Sequence, residues 1–502
     1  MFKSKLCLVL TGKTIAEDMA LVEQYRKYVD MLELRVDLLE ENERLNVRSF
    51  PRLCGLPVIL TIRRSADGGG FCEGEAARAM LFARALSNSD IDSPHKNFTY
   101  VDFESDFRVS SLEDATLAFG TKIIRSYHDM TGPVLDIHAK LEELRMTGYE
   151  IPKISFMPHS LEDVTNLFKQ AKSLKPGKQI LCAMGAYGTA SRILAQRLNS
   201  FLSFTSVSAD GNSGLGVLGH VDPVTLCDLY HFKHIDDNTK IFGITGFPLT
   251  ATSSPLLHNR GYSDYKLNAV FVPFRADDIA HAVRFAEEAG IHGFSVTVPH
   301  KEAVLKHLTR IAERAMAIGA CNTVVREPDG WAGYNTDAIG FQKALIEFLG
   351  EKSLKKYKVA IIGAGGAAKA VAYAVYELGA KACIFNRTLS KAKALAEQYG
   401  FRYALLIPEN LRLLEEYSSI IIQTTSKGMG CQPPSTQESD PIYSYEFTGK
   451  EKVFDVIYTP EITPLMARAQ ESGCEVCNGY KMLRYQGEKQ FELFTGIQAE
   501  LG

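Results

Sequence analysis

Short apolar runs alternate with longer mixed stretches through the first 235 residues. The runs lie at 5–11, 29–36, 57–63, 98–104, 122–128, 151–157, 179–184 and 200–206, and each reads as a strand followed by a helical segment. Eight such units with no long interruption predict an α/β fold with parallel βα pairing. The number eight favours a closed (β/α)8 TIM barrel over an open doubly wound sheet. A polar connector, His234-Ile235-Asp236-Asp237-Asn238-Thr239-Lys240, ends the pattern, which sets the first domain at 1–236. A new strand from Lys240 to Ile244 opens a second α/β unit, set at 241–345. A third unit, 350–480, opens on another apolar run, and the helix over 481–502 is expected to return to the second unit.

The third unit carries the plainest motif. Lys358-Val359-Ala360-Ile361-Ile362 runs into Gly363-Ala364-Gly365-Gly366-Ala367 and then into an Ala-rich helix. Such glycines let backbone approach a pyrophosphate, and the helix N-terminus supplies N–H donors and positive partial charge. A second strand, 382–385, follows and ends in Asn386-Arg387-Thr388, with Lys391 close behind. An NAD site would carry Asp or Glu there for the ribose 2′-hydroxyl. An Arg, a hydroxyl and a Lys favour a 2′-phosphate instead, hence NADP(H). The unit reads as a Rossmann lobe, against the plainer reading of the glycines as a tight turn.

In the first domain the polar residues gather where the strands end. Strand two closes in Glu33-Leu34-Arg35-Val36-Asp37 and strand three in Thr61-Ile62-Arg63-Arg64, with Asp67 beyond. Strand four carries Asp102 and Glu104, strand five ends in Ser126-Tyr127-His128-Asp129, strand six holds Lys153, and Ser191-Arg192 follows strand seven. Any one of these is most simply an ion-paired loop residue. Together, at the C-terminal ends of barrel strands, they would meet in one mouth. Burial and neighbouring cations such as Arg63 would disfavour the Lys153 ammonium and free an amine able to attack a ketone. His128 is the natural acid–base, with Glu33 and Asp67 as groups to orient it. Arg35, Arg63 and Arg192 suit the carboxylate and hydroxyls of an acidic substrate. The set reads as Schiff-base chemistry that labilises a proton beside an imine and expels a leaving group.

The second unit offers a different set. Thr250-Ala251-Thr252-Ser253-Ser254-Pro255 places hydroxyls after a strand, suited to a carboxylate or polyol or simply to capping a helix. Ser295-Val296-Thr297-Val298-Pro299-His300-Lys301, Gly319-Ala320-Cys321-Asn322-Thr323 and Gly333-Tyr334-Asn335-Thr336-Asp337 follow. A Lys and an Asp from separate loops form a proton-transfer pair. Beside NADP this implies hydride transfer at a secondary alcohol or ketone.

Composition narrows the partners. The chain has 502 residues, 46% apolar and 23% charged, as in an ordinary globular protein of several domains. A net charge of −3 gives no reason to expect nucleic acid, and no apolar run reaches membrane-span length. No signal or transit pattern is read at Lys3-Ser4-Lys5, so a cytoplasmic location is expected. Ten scattered cysteines fit reduced thiols. Cys474 and Cys477 form a C-x-x-C without a second pair at zinc spacing, so no metal site is expected.

The barrel motifs, with Pro152-Lys153-Ile154 and Met184-Gly185 ahead of Ser191-Arg192, resemble type I 3-dehydroquinate dehydratase over roughly residues 5–230. The resemblance implies that Lys153 forms the imine, that His128 moves the proton with support from Glu33, and that 3-dehydroquinate loses water to give 3-dehydroshikimate. Two positions depart from the family pattern. Asp67 stands where Glu is usual. The family's Ser-Ala-Pro-Gly-Gln loop has no clean counterpart in 208–220, where His220 is the candidate for the Gln.

The motifs of the second half, with Thr425-Ser426 and Asp455-Val456-Ile457-Tyr458, closely resemble shikimate dehydrogenase over about 240–500. The resemblance implies Lys301 and Asp337 as the catalytic pair. It implies that Thr252, Ser254, Thr297, Asn322, Tyr458 and Gln486 bind substrate, and that Gly363, Gly365, Gly366, Asn386, Arg387, Thr388 and Lys391 hold NADP. Thr252 stands where Ser is commoner and Lys391 where Arg is frequent. Joined, the two resemblances imply a bifunctional enzyme of the shikimate pathway whose second half reduces the first half's product to shikimate with NADPH. The alternatives are a catabolic quinate/shikimate dehydrogenase and a non-catalytic regulatory protein built from the same domains.

Overall fold

The computed structural model describes residues 2–87, 90, 93, 96–207, 219–249 and 252–501. The first sheet has eight parallel strands: β1 (Lys5–Leu10), β2 (Met31–Arg35), β3 (Val58–Thr61), β4 (Tyr100–Glu104), β5 (Lys122–Asp129), β6 (Ile151–Phe156), β7 (Ile180–Ala183) and β8 (Leu202–Thr205). Their order is β7-β6-β5-β4-β3-β2-β1-β8. The remaining seam is closed by the parallel bridge Gln179–Ser200, where Phe201 N donates to Gln179 O at 2.7 Å. This is the barrel expected from the eight apolar runs.

Strand periodicity explains what the barrel interior carries. Cys7, Met31, Ile59, Tyr100 and Ile124 belong to one buried cluster. Side chains two residues on point the same way. Glu33, Thr61, Asp102 and Ser126 follow the last four of those residues by two, so β2 to β5 each lift a polar group onto an apolar floor, while β1 continues it with Val9. Thr61 lies in register with Asp102, and Ser126 with Lys153. Further up β5 and β6, His128 lies in register with Ser155.

By packing, the chain divides into two compact units, Met1–Gly243 with Lys266–Ile291, and Ile244–Tyr265 with His292–Gly502. Within the first unit, Phe285 sits edge-on to Phe168 at 5.2 Å, and Arg284 and Glu288 pair with Glu162 and Lys172.

A second sheet contains β9 (Lys240–Thr245), β10 (Ala269–Pro273), β11 (Ile291–Val296), β12 (Arg310–Ile311), β13 (Thr323–Glu327) and β14 (Gly330–Tyr334), in the order β10-β9-β11-β13-β14-β12. The third sheet contains β15 (Lys358–Ile362), β16 (Lys381–Asn386), β17 (Arg402–Leu405), β18 (Ile420–Gln423), β19 (Lys452–Asp455) and β20 (Glu475–Cys477). Its order, β17-β16-β15-β18-β19-β20, is the doubly wound 3-2-1-4-5-6 arrangement, with strand order reversing between β15 and β18. Alternation along β15 buries Val359 and Ile361 on one face and Ala360 and Ile362 on the other.

The long C-terminal helix Tyr480–Thr495 packs against the helices Ser254–Asp264 and Asp337–Leu349. The Phe491 ring lies 5.3 Å from Tyr262. At Gly340 a Cβ would stand 2.6 Å from Met482 O, so this close helix crossing requires glycine.

Candidate active sites

The barrel cavity is lined by Glu33, Arg35, Arg63, Asp67, His128, Lys153, Arg192 and His220. Every side chain proposed for the first site from the sequence therefore faces one space. Lys153 is 4% exposed. Its Nζ lies 2.9 Å from Asp102 Oδ2, 3.9 Å from Glu33 Oε1 and 4.5 Å from the Phe204 ring centre. Arg63, the neighbouring cation invoked from the sequence, stands beside the same carboxylate oxygen, so the lysine and the guanidinium share Asp102.

Asp102 is the hub. Oδ1 accepts from Ser126 Oγ, and Oδ2 faces both Lys153 and Arg63 NH2, each at 2.9 Å. The Arg63 contact is an ion pair without hydrogen-bond alignment. Burial alone would raise the Asp102 carboxyl, but Arg63 and Lys153 hold it well below the usual carboxylate range.

Arg63 also donates to Glu104 at 2.7 Å and to Ser126 at 3.2 Å. Its guanidinium is largely spent on protein carboxylates, which differs from the substrate-holding role read from the sequence. Arg35 makes a two-point pair with Asp37, at 2.9 and 2.8 Å. Asp67 pairs with Arg64, the cation nearest it in the chain. Glu33 accepts from Thr61 Oγ1 at 2.9 Å.

His128 Nδ1 is buried and has no hydrogen-bond partner among the described residues, so neither Glu33 nor Asp67 bonds that nitrogen. Burial, then Arg63 and Lys153, hold His128 well below its ordinary value of 6.5, leaving a neutral imidazole able to accept a proton. His220 is alike: burial, then Arg192 and Arg35, keep it neutral, and its buried Nδ1 also lacks a partner among the described residues. The rest of the divergent loop, 208–218, lies outside the described residues.

The second cavity, of about 590 Å³, is lined by Thr252, Ser254, Thr297, Lys301, Asn322, Asp337, Tyr458 and Gln486. Ala367 of the Gly-rich turn also faces it. Lys301 Nζ lies 2.6 Å from Asp337 Oδ2. Asn322 Nδ2 donates to Asp337 Oδ1 at 2.8 Å and to Thr336 Oγ1 at 2.9 Å, while its Oδ1 accepts from Thr336 N at 2.8 Å. The carboxylate is thus fixed from one side and faces the lysine from the other. Thr252 Oγ1 accepts from Ser254 N at 3.2 Å, so one hydroxyl of the run also helps start its helix.

Two lining residues escaped the sequence reading of substrate contacts. Ser295 donates to Gln490 Oε1 at 3.0 Å, and Gln490 donates to Thr323 Oγ1 at 2.9 Å. Gln490 stands four residues beyond Gln486 on one helix, and that spacing is the signal that would have found it.

The Gly-rich turn sits at the reversal point of the third sheet. Gly363 has φ +115°, and a Cβ there would lie 2.5 Å from Thr424 Oγ1. Gly365 borders open space. At the end of β16, Asn386 Nδ2 donates to Thr388 O at 3.0 Å, and Arg387, Thr388 and Lys391 are exposed with no acid among them. This open backbone, helix N-terminus and basic strand end fit a dinucleotide with a 2′-phosphate. Among the described residues no cluster suited to a metal ion occurs, and no helix is long and apolar enough to cross a membrane.

Comparison with known proteins agrees along the chain. The family model for type I 3-dehydroquinase matches residues 6–237. Those for the shikimate dehydrogenase substrate binding domain and for shikimate / quinate 5-dehydrogenase match 244–324 and 346–439. The chloroplastic bifunctional 3-dehydroquinate dehydratase/shikimate dehydrogenase of Arabidopsis thaliana is 33% identical over 94% of this chain and 78% of its own length. The shikimate biosynthesis protein AroDE of Chlamydia pneumoniae is 28% identical over 97% and 95%. The shikimate dehydrogenase (NADP(+)) of Methanococcus aeolicus is 35% identical over 53% of this chain and 96% of its own.

A lysine-centred barrel joined to a doubly wound lobe defines the class: a lyase fused to an oxidoreductase. The chain belongs to the family of bifunctional 3-dehydroquinate dehydratase/shikimate dehydrogenases of the shikimate pathway. That membership favours the two-step biosynthetic enzyme over the catabolic and non-catalytic alternatives.

Proposed function

We propose that Lys153 is the imine-forming residue of the dehydratase and Lys301 with Asp337 the proton-transfer pair of the dehydrogenase. The division into 1–236, 241–345 with 481–502, and 350–480 belongs to the same reading. The observation that carries the first assignment is a buried lysine sharing one cavity with a histidine that burial keeps neutral and whose Nδ1 has no partner among the described residues. Lys153 attacks the ketone of 3-dehydroquinate, and water leaves as the C=N bond forms. His128 takes the proton from the adjacent carbon. The electron pair forms the C=C bond as the hydroxyl departs with a proton as water. Hydrolysis of the imine frees 3-dehydroshikimate and restores the amine. Arg35, Arg192 and His220 supply donors for the substrate's carboxylate and hydroxyls.

In the second site NADPH, when bound, supplies the hydride for the ketone of 3-dehydroshikimate. Gly363 to Ala367 hold its pyrophosphate, and Asn386, Arg387, Thr388 and Lys391 its 2′-phosphate. Lys301 gives a proton to the ketone oxygen, and Asp337, fixed by Asn322, keeps the ammonium aimed. Thr252, Ser254, Thr297, Tyr458 and Gln486 seat the hydroxyls and carboxylate. A cytoplasmic location is part of the reading, supported by ten free cysteines.

Lys153→Ala tests the assignment. Formation of 3-dehydroshikimate from 3-dehydroquinate should disappear, while NADPH-dependent reduction of added 3-dehydroshikimate stays at the wild-type rate. Residual dehydration near the wild-type rate would reject Lys153.

A further inference from the structure

Arg78 is a polar feature that the chemistry above leaves unused. It lies on the outer helix Glu75–Leu86, yet it is 0% exposed. Its guanidinium stands 4.7 Å from the Phe107 ring centre. On the solvent side NH2 donates to Glu75 Oε2 at 2.7 Å, and Glu75 is 55% exposed. On the inner side NH1 donates to Glu104 Oε2 at 2.6 Å. From there contacts run without a gap. Glu104 Oε1 accepts from Arg63 at 2.7 Å, Arg63 stands 2.9 Å from Asp102 Oδ2, and the same oxygen takes Lys153 at 2.9 Å. Glu75, Arg78, Glu104, Arg63, Asp102 and Lys153 alternate in sign from surface to amine.

Stability does not call for this chain. Taking charges out of water costs free energy, and apolar residues of similar volume often pack as well or better. The arrangement matters because each ion is shared. Glu104 spends one oxygen on Arg78, so Arg63 has only the other and remains divided between Glu104 and Asp102. Asp102 is divided in turn between Arg63 and Lys153. Without Arg78, Glu104 has both oxygens for Arg63 and draws it off Asp102. Asp102 then turns wholly to Lys153 and holds the ammonium, which cannot attack a ketone.

We propose that Arg78 is a positioning residue of the dehydratase, keeping Asp102 divided between Arg63 and Lys153. The proposal rests on the reading of Lys153 as the imine-forming residue. Other groups facing Lys153 are Glu33 from β2, Cys7 from β1, His128 from β5 and His220 after β8, and none of them touches Arg78. Arg64 approaches the outer carboxylate, Glu75, at 3.8 Å.

The test uses the full chain. Borohydride is added with 3-dehydroquinate, the reduced adduct on Lys153 is located by peptide mass, and its rate of formation is followed against pH. Arg78→Met should move the midpoint of that profile up by about one pH unit, making trapping about tenfold slower at pH 7, with recovery near pH 9 and KM within about threefold. Arg78→Lys, which restores the charge, should return the midpoint. NADPH-dependent reduction of 3-dehydroshikimate by the same variants reports folding and should not change. If Arg78→Met does not fold, Arg78→Gln carries the same comparison. An equal loss at every pH with an unmoved midpoint would make Arg78 structural and overturn the inference alone. A wild-type chain not labelled at Lys153 would overturn the reading beneath it.

Discussion

At the residue scale the second site turns on Asn322. It is 2% exposed, and its amide bonds both Asp337 and Thr336. A hydrogen bond to a charged group is worth about 1.5–3 kcal/mol. Asn322→Ala should therefore lower dehydrogenase kcat roughly ten- to a hundredfold, because Asp337 loses its fixed orientation towards Lys301. A change confined to KM would assign Asn322 to substrate binding instead. Arg387 makes a separate prediction. With Arg387→Ala the KM for NADPH should rise at least about tenfold, as for losing a charge-assisted phosphate contact, while the NADH rate stays level. Equal effects on both cofactors would remove the 2′-phosphate assignment. The types and rough places of these residues were legible because a Lys inside an apolar strand or a basic end to a second Rossmann strand is informative alone. Their partners were not. That Arg63 meets Asp102 and Glu104 depends on register between strands far apart in sequence, and that Asp67 turns to Arg64 depends on the local fold of the loop after β3.

At the scale of elements, all eight barrel runs became strands within a residue or two of their expected limits, because strands covered on both faces are apolar throughout. What the runs did not show was support between elements. Asp455 ends β19 fully buried. Its oxygens accept from Ile457 N at 3.0 Å and Thr463 Oγ1 at 2.8 Å, tying the segment that carries Tyr458 to the start of the helix Pro464–Glu471. Burial, and secondarily Asp440, raises this carboxyl to about 7. A carboxyl raised in the fold binds its proton there at a pH where the unfolded chain has lost it. The fold therefore loses stability as pH rises from about 4 through 7, and the full loss is present above 7. Asp455→Asn removes that charge and keeps an acceptor, so the unfolding free energy read from urea titration should rise at pH 8.5 by up to a few kcal/mol, and less at pH 5.5. An equal or larger gain at pH 5.5 would show that Asp455 is ionised throughout.

At the scale of the whole molecule, the two sites make chemically consecutive demands. The barrel turns a hydroxyketone into an unsaturated ketone, and the second cavity holds the Lys301–Asp337 pair proposed to serve the reduction of that ketone. Neither site shares a residue with the other. The chain should therefore behave as two catalysts in series whose defects do not mix. Purified protein given 3-dehydroquinate and NADPH should consume NADPH steadily, after a lag that shortens when 3-dehydroshikimate is supplied. Lys153→Ala should abolish the first signal and leave the second, and Lys301→Ala should abolish both while 3-dehydroshikimate still accumulates from 3-dehydroquinate. NADPH loss with 3-dehydroshikimate but not with 3-dehydroquinate would place the fault in the barrel. Suspicion would then fall on Asp67, drawn to Arg64, and on His220, which lines the cavity with a buried Nδ1 that has no partner among the described residues. A His220→Gln variant that restored the coupled rate would separate the two.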